Sequence, residues 1–171
     1  MKNNADEAKI IWFIDNDESQ LRLYKRHLER GIELFGPDDE NFVINDILAK
    51  AHKEDYLFIF DDPHTAAILV DQKLQDKGGV DHSGMELAKY LRELNDVIPI
   101  YMLTNYSTQE EYEENEWSVD DILDKGDISD QETKLKTVVS RIFRRIAIFH
   151  RVFGEREVRF RELLKKSLSG R

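Results

Sequence analysis

The sequence predicts an α/β fold in which a parallel β-sheet is covered by helices on both faces. Apolar runs without helical periodicity alternate along the chain with segments of helical periodicity, an order typical of parallel sheets with crossover helices. The apolar runs are continuous rather than alternating, as expected for strands buried on both faces. A chain of 171 residues is expected to form one domain with a short extension.

Four apolar runs predict strands. Three central strands are expected at residues 10–14, 66–70 and 98–103, and an edge strand within residues 120–126. Each strand ends at a polar residue, namely Asp15, Asp71, Thr104 and Lys125 in chain order.

Helical periodicity marks the segments between these strands. Residues 19–30 place their apolar side chains on one face, and Gly31 is expected to end this helix. Ser83 is the expected cap of a helix over residues 84–95. Residues 107–117 predict a further, highly acidic helix.

Two assignments compete for the second strand. Either residues 32–35 form it and residues 42–54 form the next helix, or that helix is an insertion and residues 56–60 form the strand. We expect the first assignment, because Gly31 ends the preceding helix so close to residue 32. Periodicity does not decide whether residues 56–60 then extend the helix or pair at an edge of the sheet.

Composition excludes several classes of protein. The absence of cysteine excludes disulfides, thiolate catalysis and cysteine metal centres. The five histidines form no HExxH motif of the kind found in zinc enzymes. No stretch approaches the roughly 20 apolar residues that span a membrane, and the N-terminus does not resemble a signal peptide. We therefore expect a cytoplasmic protein without a membrane partner.

Charge is divided unevenly along the chain. Residues 134–171 carry 12 Lys and Arg against 3 Glu, whereas residues 1–133 carry 13 against 32 acidic residues. An acidic body suits cation binding, and a basic tail suits an acidic surface.

The tail predicts a long amphipathic helix. Apolar residues recur at three- and four-residue steps over residues 134–153, and a patchier pattern continues beyond Gly154, which is expected to bend or break the helix. Such a surface needs a partner, and we expect pairing with a second copy in a homodimer. Docking on another protein is the alternative. Nucleic-acid binding is disfavoured, because the chain shows no helix-turn-helix pattern or aromatic stacking platform.

The residues at the strand ends predict a binding crevice. In an open parallel sheet, ligands bind outside the carboxyl ends of the strands, near the point where strand order reverses. Clustered carboxylates such as Asp15, Asp17 and Asp71 require a proton or a divalent cation, and Mg²⁺ prefers oxygen ligands. A carboxylate beside such an ion can attack phosphorus and form an acyl phosphate. Thr104 and Lys125 would then bind the phosphoryl oxygens.

Four motifs in this order resemble one family. The segments "FIDNDES", "AILVDQKL", "PIYMLTN" and "DDILDKGD" resemble the receiver domain of two-component response regulators, over residues 8–148. The resemblance implies a flavodoxin-like, doubly wound sheet of five parallel strands in the order 2-1-3-4-5, with helices on both faces. Residues 149–171 would form a helical C-terminal extension.

The resemblance also implies roles for single residues. Asp71 would be the phosphoacceptor, Thr104 the switch hydroxyl and Lys125 the phosphate-binding lysine. The implied magnesium ligands are Asp15, Asn16, Asp71, the backbone carbonyl of Lys73 and, as a substitute for Asn16, Asp17.

The implied function is phosphorelay signalling rather than enzymatic turnover. The chain would accept a phosphoryl group from a histidine kinase or phosphotransfer protein and switch an interaction with a downstream protein. Three departures from the family favour an alternative, a phosphorylation-independent pseudo-receiver that serves as a binding or dimerisation module. Asn16 replaces an acidic residue, Ile122 replaces an aromatic residue, and the loop from Asp71 to Gly84 is longer than usual.

Overall fold

Five parallel strands form the sheet in the computed structural model, which describes residues 8–105 and 118–169. In chain order the strands are β1 (Lys9–Asp15), β2 (Phe42–Leu48), β3 (Thr65–Asp71), β4 (Ile100–Thr104) and β5 (Asp121–Asp124). Their order across the sheet is β2-β1-β3-β4-β5, and every neighbouring pair is parallel. The predicted fold class and strand order are therefore confirmed.

Helices cover both faces of this sheet. They are α1 (Glu18–Phe35), α2 (Phe58–Asp61), α3 (Gly84–Leu94) and α4 (Glu132–Ser169). Helices α1 and α4 pack on one face, against a cluster that includes Phe13 and Leu69. Helix α3 packs on the other face, against a cluster that includes Ile68 and Val70. All seven residues of β3 are buried between the two layers, which explains its continuous apolar run.

The prediction for the second strand is wrong. Residues 32–35 form the last turn of α1, and the strand is Phe42–Leu48, which was expected to be helical. Burial nearly alternates along β2, where Phe42, Ile44 and Ile47 are buried and lie among more exposed neighbours. An edge strand buried on one face has this period. The three- and four-residue spacing of Val43, Ile44, Ile47 and Leu48 also fits one face of a helix, so the pattern was ambiguous.

Gly31 does not end the first helix. It lies inside α1 at a close contact with α4, where a Cβ atom would be 2.7 Å from Cγ2 of Val139 and 3.0 Å from Cδ1 of Leu135. Protein interiors are packed too densely to admit an extra atom at such distances. The glycine therefore reflects the contact between two helices that are distant in sequence.

Four further expectations concern helical segments. Residues 56–60, the alternative second strand, complete a 3-10 turn (Lys53–Tyr56) and form most of α2. Helix α4 continues through Gly154 without a break. The acidic helix expected at residues 107–117 lies outside the described residues. Within residues 8–105 and 118–169, no helix is long and apolar enough to cross a membrane.

Gly84 brings the start of α3 against the end of β3. A Cβ atom at this position would lie 2.0 Å from the carbonyl oxygen of Asp71 and 2.8 Å from Cα of Gln72. Both are backbone atoms, so no side chain can rotate away to make room. Ser83 and Glu86 form a capping box at the same place, which satisfies two backbone N–H groups at the start of the helix.

We expect Gly84→Ala to lower the free energy of unfolding by about 1–3 kcal/mol, the usual effect of overpacking, as measured by urea denaturation. Gly154→Ala is the matched control. Its Cβ atom would meet nothing within 4 Å, so the better helix propensity of alanine should stabilise the protein by up to about 1 kcal/mol. Equal effects of the two substitutions would contradict the close contact at Gly84.

Candidate functional site

The carboxyl ends of the strands border a crevice of about 440 Å³. Asp15 is the last residue of β1, Asp71 of β3 and Thr104 of β4, and Lys125 follows β5 directly. Asp71, Thr104 and Lys125 line the crevice together with Asn16. Parallel strands end at the same edge of a sheet, which is why these residues meet although they are distant in sequence.

Lys125 is at the centre of the polar network. Its Nζ lies 2.8 Å from Oδ2 of Asp15 and 2.7 Å from Oδ1 of Asp71. The same ammonium group donates to Oε1 of Gln20 at 2.8 Å and lies 5.3 Å from the centroid of the Tyr24 ring. Asp15, Asp71 and Lys125 are all buried. Because buried charges are tolerated only when paired and hydrogen-bonded, this lysine holds together the ends of β1, β3 and β5.

Burial and charge act against each other in this network. Burial raises the pKa of Asp71 above its ordinary value, the charge of Asp15 raises it further, and the bond from Lys125 only partly opposes them. Burial alone would lower the pKa of Lys125, but its bonds with Asp15 and Asp71 outweigh this and leave that pKa above its ordinary value. The lysine is therefore charged at neutral pH, and one ammonium group faces two carboxyl groups.

Thr104 lies beside the residue that follows Asp71. Its Oγ1 donates to Oε1 of Gln72 at 2.8 Å, and the backbone N–H of Gln72 donates to the carbonyl oxygen of Leu103 at 3.0 Å. The bond to Gln72, the residue that follows Asp71, thus fixes the hydroxyl group of Thr104 next to Asp71. A ligand on Asp71 that accepts from Thr104 must compete with Gln72.

Asn16 binds the loop that follows β3. Its Nδ2 donates to the carbonyl oxygens of Lys73, at 2.8 Å, and Leu74, at 3.2 Å. The Asn16 side chain and the Lys73 carbonyl were both expected to bind magnesium. In the structure they are bonded to each other.

Asp17 caps α1 and contacts the same loop. Its Oδ1 accepts from the backbone N–H groups of Ser19 and Gln20, as a helix N-cap does. Its Oδ2 lies 2.7 Å from Nζ of Lys77. The bond from Lys77, followed by those from Ser19 and Gln20, holds the pKa of Asp17 well below its usual range. Both oxygens of the carboxylate expected to substitute for Asn16 are therefore already bonded.

The donor atoms fit a magnesium ion in type. Carboxylates of Asp15 and Asp71, the amide oxygen of Asn16 and the carbonyl of Lys73 are the hard oxygen donors that Mg²⁺ prefers. The bond between Asn16 and Lys73 must open before that carbonyl can bind an ion. Among the described side chains, no group of three or more acidic or histidine residues could hold a metal. Because Asn16 carries no charge and its bond to Lys73 must open first, we expect weak binding of Mg²⁺.

Two glutamines of the site were not foreseen from the sequence. Gln20 bonds Lys125, and Gln72 bonds Thr104. Each lies close to a predicted residue, since Gln20 is in the helical turn that Asp17 caps and Gln72 directly follows Asp71. For Gln72, the position next to a strand end was a usable signal, but the partner of each amide depends on the fold.

His82 belongs to the long loop after β3, yet it is shielded from solvent. Its side chain is buried, with Nδ1 3.0 Å from Oδ1 of Asp81 and Nε2 3.3 Å from the hydroxyl group of Tyr56. The long loop after β3 is thereby anchored at its far end.

Ile122 is partly buried and packs with the cluster on the α3 face.

The raised pKa of Asp71 predicts how its replacement changes stability. Ionisation of Asp71 disfavours the folded state, because the folded-state pKa lies above the unfolded value of about 3.9. We expect Asp71→Asn to raise the free energy of unfolding at neutral pH. The gain should disappear as pH falls through the folded-state pKa towards the unfolded value.

Urea denaturation of both proteins across this pH range measures the difference. Asp39→Asn, at an exposed position, controls for the removal of a surface charge. A variant that is less stable than the wild type at neutral pH would contradict the assigned electrostatics.

Similar architectures occur among solved structures. The receiver domain of the Francisella response regulator 1452 matches with a TM-score of 0.58 and 17% sequence identity, over 81% of this chain and 97% of that one. The Thermotoga maritima response regulator TrrA, in complex with Mg²⁺ and beryllofluoride, matches with a TM-score of 0.54 and 22% identity, over 78% and 98% of the two chains.

A CheY-like receiver domain protein from Methanospirillum hungatei gives a TM-score of 0.56 and 18% identity, over 81% and 96% of the two chains. No protein-family model and no curated protein sequence matches the chain. The likeness is therefore one of fold, carried by the sheet order and its helices rather than by overall sequence. The chain has the fold of a CheY-like response regulator receiver domain.

Proposed function

We propose that the chain is a receiver module of two-component signalling that accepts a phosphoryl group on Asp71 from a histidine kinase or phosphotransfer protein. The bridge from Lys125 to Asp15 and Asp71 is the observation that supports this most directly. It holds the carboxyl group of Asp71 at the wall of an open crevice and places a fixed positive charge beside it. Both are requirements for an attack on phosphorus.

The transfer exchanges one bond for another. An oxygen of Asp71 forms a bond with phosphorus while the phosphorus–nitrogen bond of the donor phosphohistidine breaks. The electron pair stays with the imidazole, which takes up a proton. Lys125 and the hydroxyl of Thr104 are within the same crevice and would bind the new phosphoryl oxygens.

Magnesium, when bound, would neutralise charge on the transferring group. Asp15, Asp71 and the carbonyl of Lys73 would hold it, together with the amide oxygen of Asn16. The chain itself contributes one positive charge at this site, the ammonium group of Lys125. Two buried carboxyl groups hold this ammonium group in place.

The switch would begin at Thr104. Its bond to Gln72 would be exchanged for one to the phosphoryl group, which moves the end of β4. Residues 106–117 follow directly in the chain, and they carry five glutamates. A shift at the end of β4 would therefore reach an acidic segment suited to a downstream protein partner.

A second candidate function rests on Asn16. Its side chain donates to the carbonyl oxygens of Lys73 and Leu74, and the bond to Lys73 occupies the oxygen that would bind magnesium. A module held in this state would present one fixed surface and work without phosphorylation.

Intact-mass spectrometry after incubation with acetyl phosphate and Mg²⁺ distinguishes the two functions. We expect the wild type to gain the mass of one phosphoryl group, in an adduct that is labile in base as acyl phosphates are. Asp71→Asn should gain none, because an amide oxygen is a poor nucleophile. Asp76→Asn is the matched control in the same crevice and should still be labelled. An unlabelled wild type would favour the phosphorylation-independent module.

Asn16→Asp should lower the Kd for Mg²⁺ at least about tenfold, equivalent to about 1.4 kcal/mol. The substitution adds a charged ligand and removes the N–H donor that binds Lys73. Isothermal titration calorimetry measures the change. Asn105→Asp, also at the crevice, adds the same charge without affecting Lys73. Equal Kd values for the two variants would show that Asn16 does not limit metal binding.

A further inference from the structure

One apolar face runs along the whole of α4. In the first half of the helix this face is buried against the domain. It consists there of Leu135, Val138, Val139, Ile142 and Ile146. In its second half the same face continues with Phe149, Phe153, Phe160 and Leu164. At 100° per residue these four side chains fall within about 60° of arc, centred on the buried face.

The second half of this face is open. Phe153 is 55% exposed, Phe160 62% and Leu164 46%. Residues 151–169 extend for about 28 Å, at 1.5 Å per residue. Large exposed apolar surface of this kind marks an interaction site, so the helix requires a partner along this length.

The spacing along this face is symmetric when it is counted from Phe149, which is half-buried where α4 leaves the domain. The steps from Phe149 to Phe153, Phe160 and Leu164 are four, seven and four residues, so they read the same in both directions about the midpoint of residues 156 and 157. A two-fold axis at that midpoint places Phe149 opposite Leu164 of a second copy, and Phe153 opposite Phe160. An isologous interface needs this self-complementarity, which no unrelated partner would require.

Charge decides the direction of the pair. Residues 150–169 carry six basic and three acidic residues, and residues 1–133 are strongly acidic. A parallel pair would place two basic tails and two acidic bodies side by side, and like charges repel. An antiparallel pair separates the bodies and brings each basic tail towards the body of the other copy.

The surface that would receive the tail lies where α4 leaves the domain. Glu29, Glu33, Asp38 and Glu40 border a crevice there, with apolar contributions from Ile32 and Phe42. His150 of α4 lies 3.8 Å from Glu40, and the Phe143 ring is 4.8 Å from the Phe42 ring. In the symmetric register, residue 165 of the second copy lies level with residue 148, within one helical turn of His150. The basic end of the second helix therefore comes level with this acidic surface.

We propose that the chain forms a two-fold dimer through an antiparallel pair of α4 helices, in which each basic tail lies against the acidic base of the other copy. The interface is independent of the crevice around Asp71. Absence of the dimer would therefore not contradict the proposed phosphoryl transfer, and absence of phosphoryl transfer would not contradict the dimer.

Sedimentation velocity over a dilution series tests the pair. We expect a dimer in the wild type, and an increase of at least about tenfold in its dissociation constant for Phe160→Glu, because the substitution buries a charge beside Phe153 of the other copy. Leu94→Glu, on a different helix and 51% exposed, is the matched control and should dissociate like the wild type. Circular dichroism verifies that each variant is folded. A wild type that is monomeric at every concentration, or that binds anionic phosphatidylserine vesicles as a monomer instead, would overturn the proposal.

A charge exchange tests the direction. Glu33→Lys and Lys165→Glu should each weaken the dimer, and the double variant should regain affinity because the tail and the base again carry opposite charges at the exchanged positions. Additive weakening in the double variant would contradict the contact between tail and base.

Spin labels give an independent measure of direction. The chain has no cysteine, so Ser140→Cys, at an exposed position, provides one labelling site per copy. In the antiparallel register the two labels are about 50 Å apart along the axis, at 1.5 Å per residue. A distance near 20 Å, as expected for two parallel helices side by side, would overturn the antiparallel arrangement.

Discussion

The structure depends on one buried lysine between two buried carboxyl groups. Lys125 joins Asp15 and Asp71, and each of the three residues stands at the end of a different strand. A carboxyl pair without this ammonium group would have to take up a proton or a cation to remain buried. The strand ends are thus held in register by the same positive charge that lies beside the carboxyl group of Asp71. Stability and site chemistry cannot be separated at this position.

The loop after β3 is built into the same unit. Asn16 and Asp17, at the turn between β1 and α1, bind its near part at Lys73 and Lys77. His82 fixes its far part, and Gly84 allows α3 to begin against the backbone of Asp71. The extra length of this loop is therefore ordered by specific bonds. Any ligand that binds Lys73 must displace Asn16, so cation binding and loop position are coupled.

Sequence reasoning was most successful where one physical cause determines the pattern. Strands buried on both faces give continuous apolar runs, and β1, β3 and β4 were predicted for this reason. Strand β2 was missed because a half-buried edge strand shares its spacing with a helix. Gly31 was misinterpreted because the helix that it contacts, α4, is distant in sequence, and the burial of His82 beside Tyr56 was not foreseen for the same reason. The strand-end residues were located correctly, whereas the bonds of Asn16, Gln20 and Gln72 required the fold.

We propose that Lys125 and Asp71 together form a site for a phosphoryl group. Fluorine NMR with beryllofluoride, which binds carboxylates as a tetrahedral phosphoryl analogue, tests it most directly. We expect resonances of bound fluoride in the wild type with Mg²⁺. We also expect their loss in Asp71→Asn and their weakening in Lys125→Met. Bound resonances that persist in Asp71→Asn, or none in the wild type at saturating reagent, would contradict the proposal.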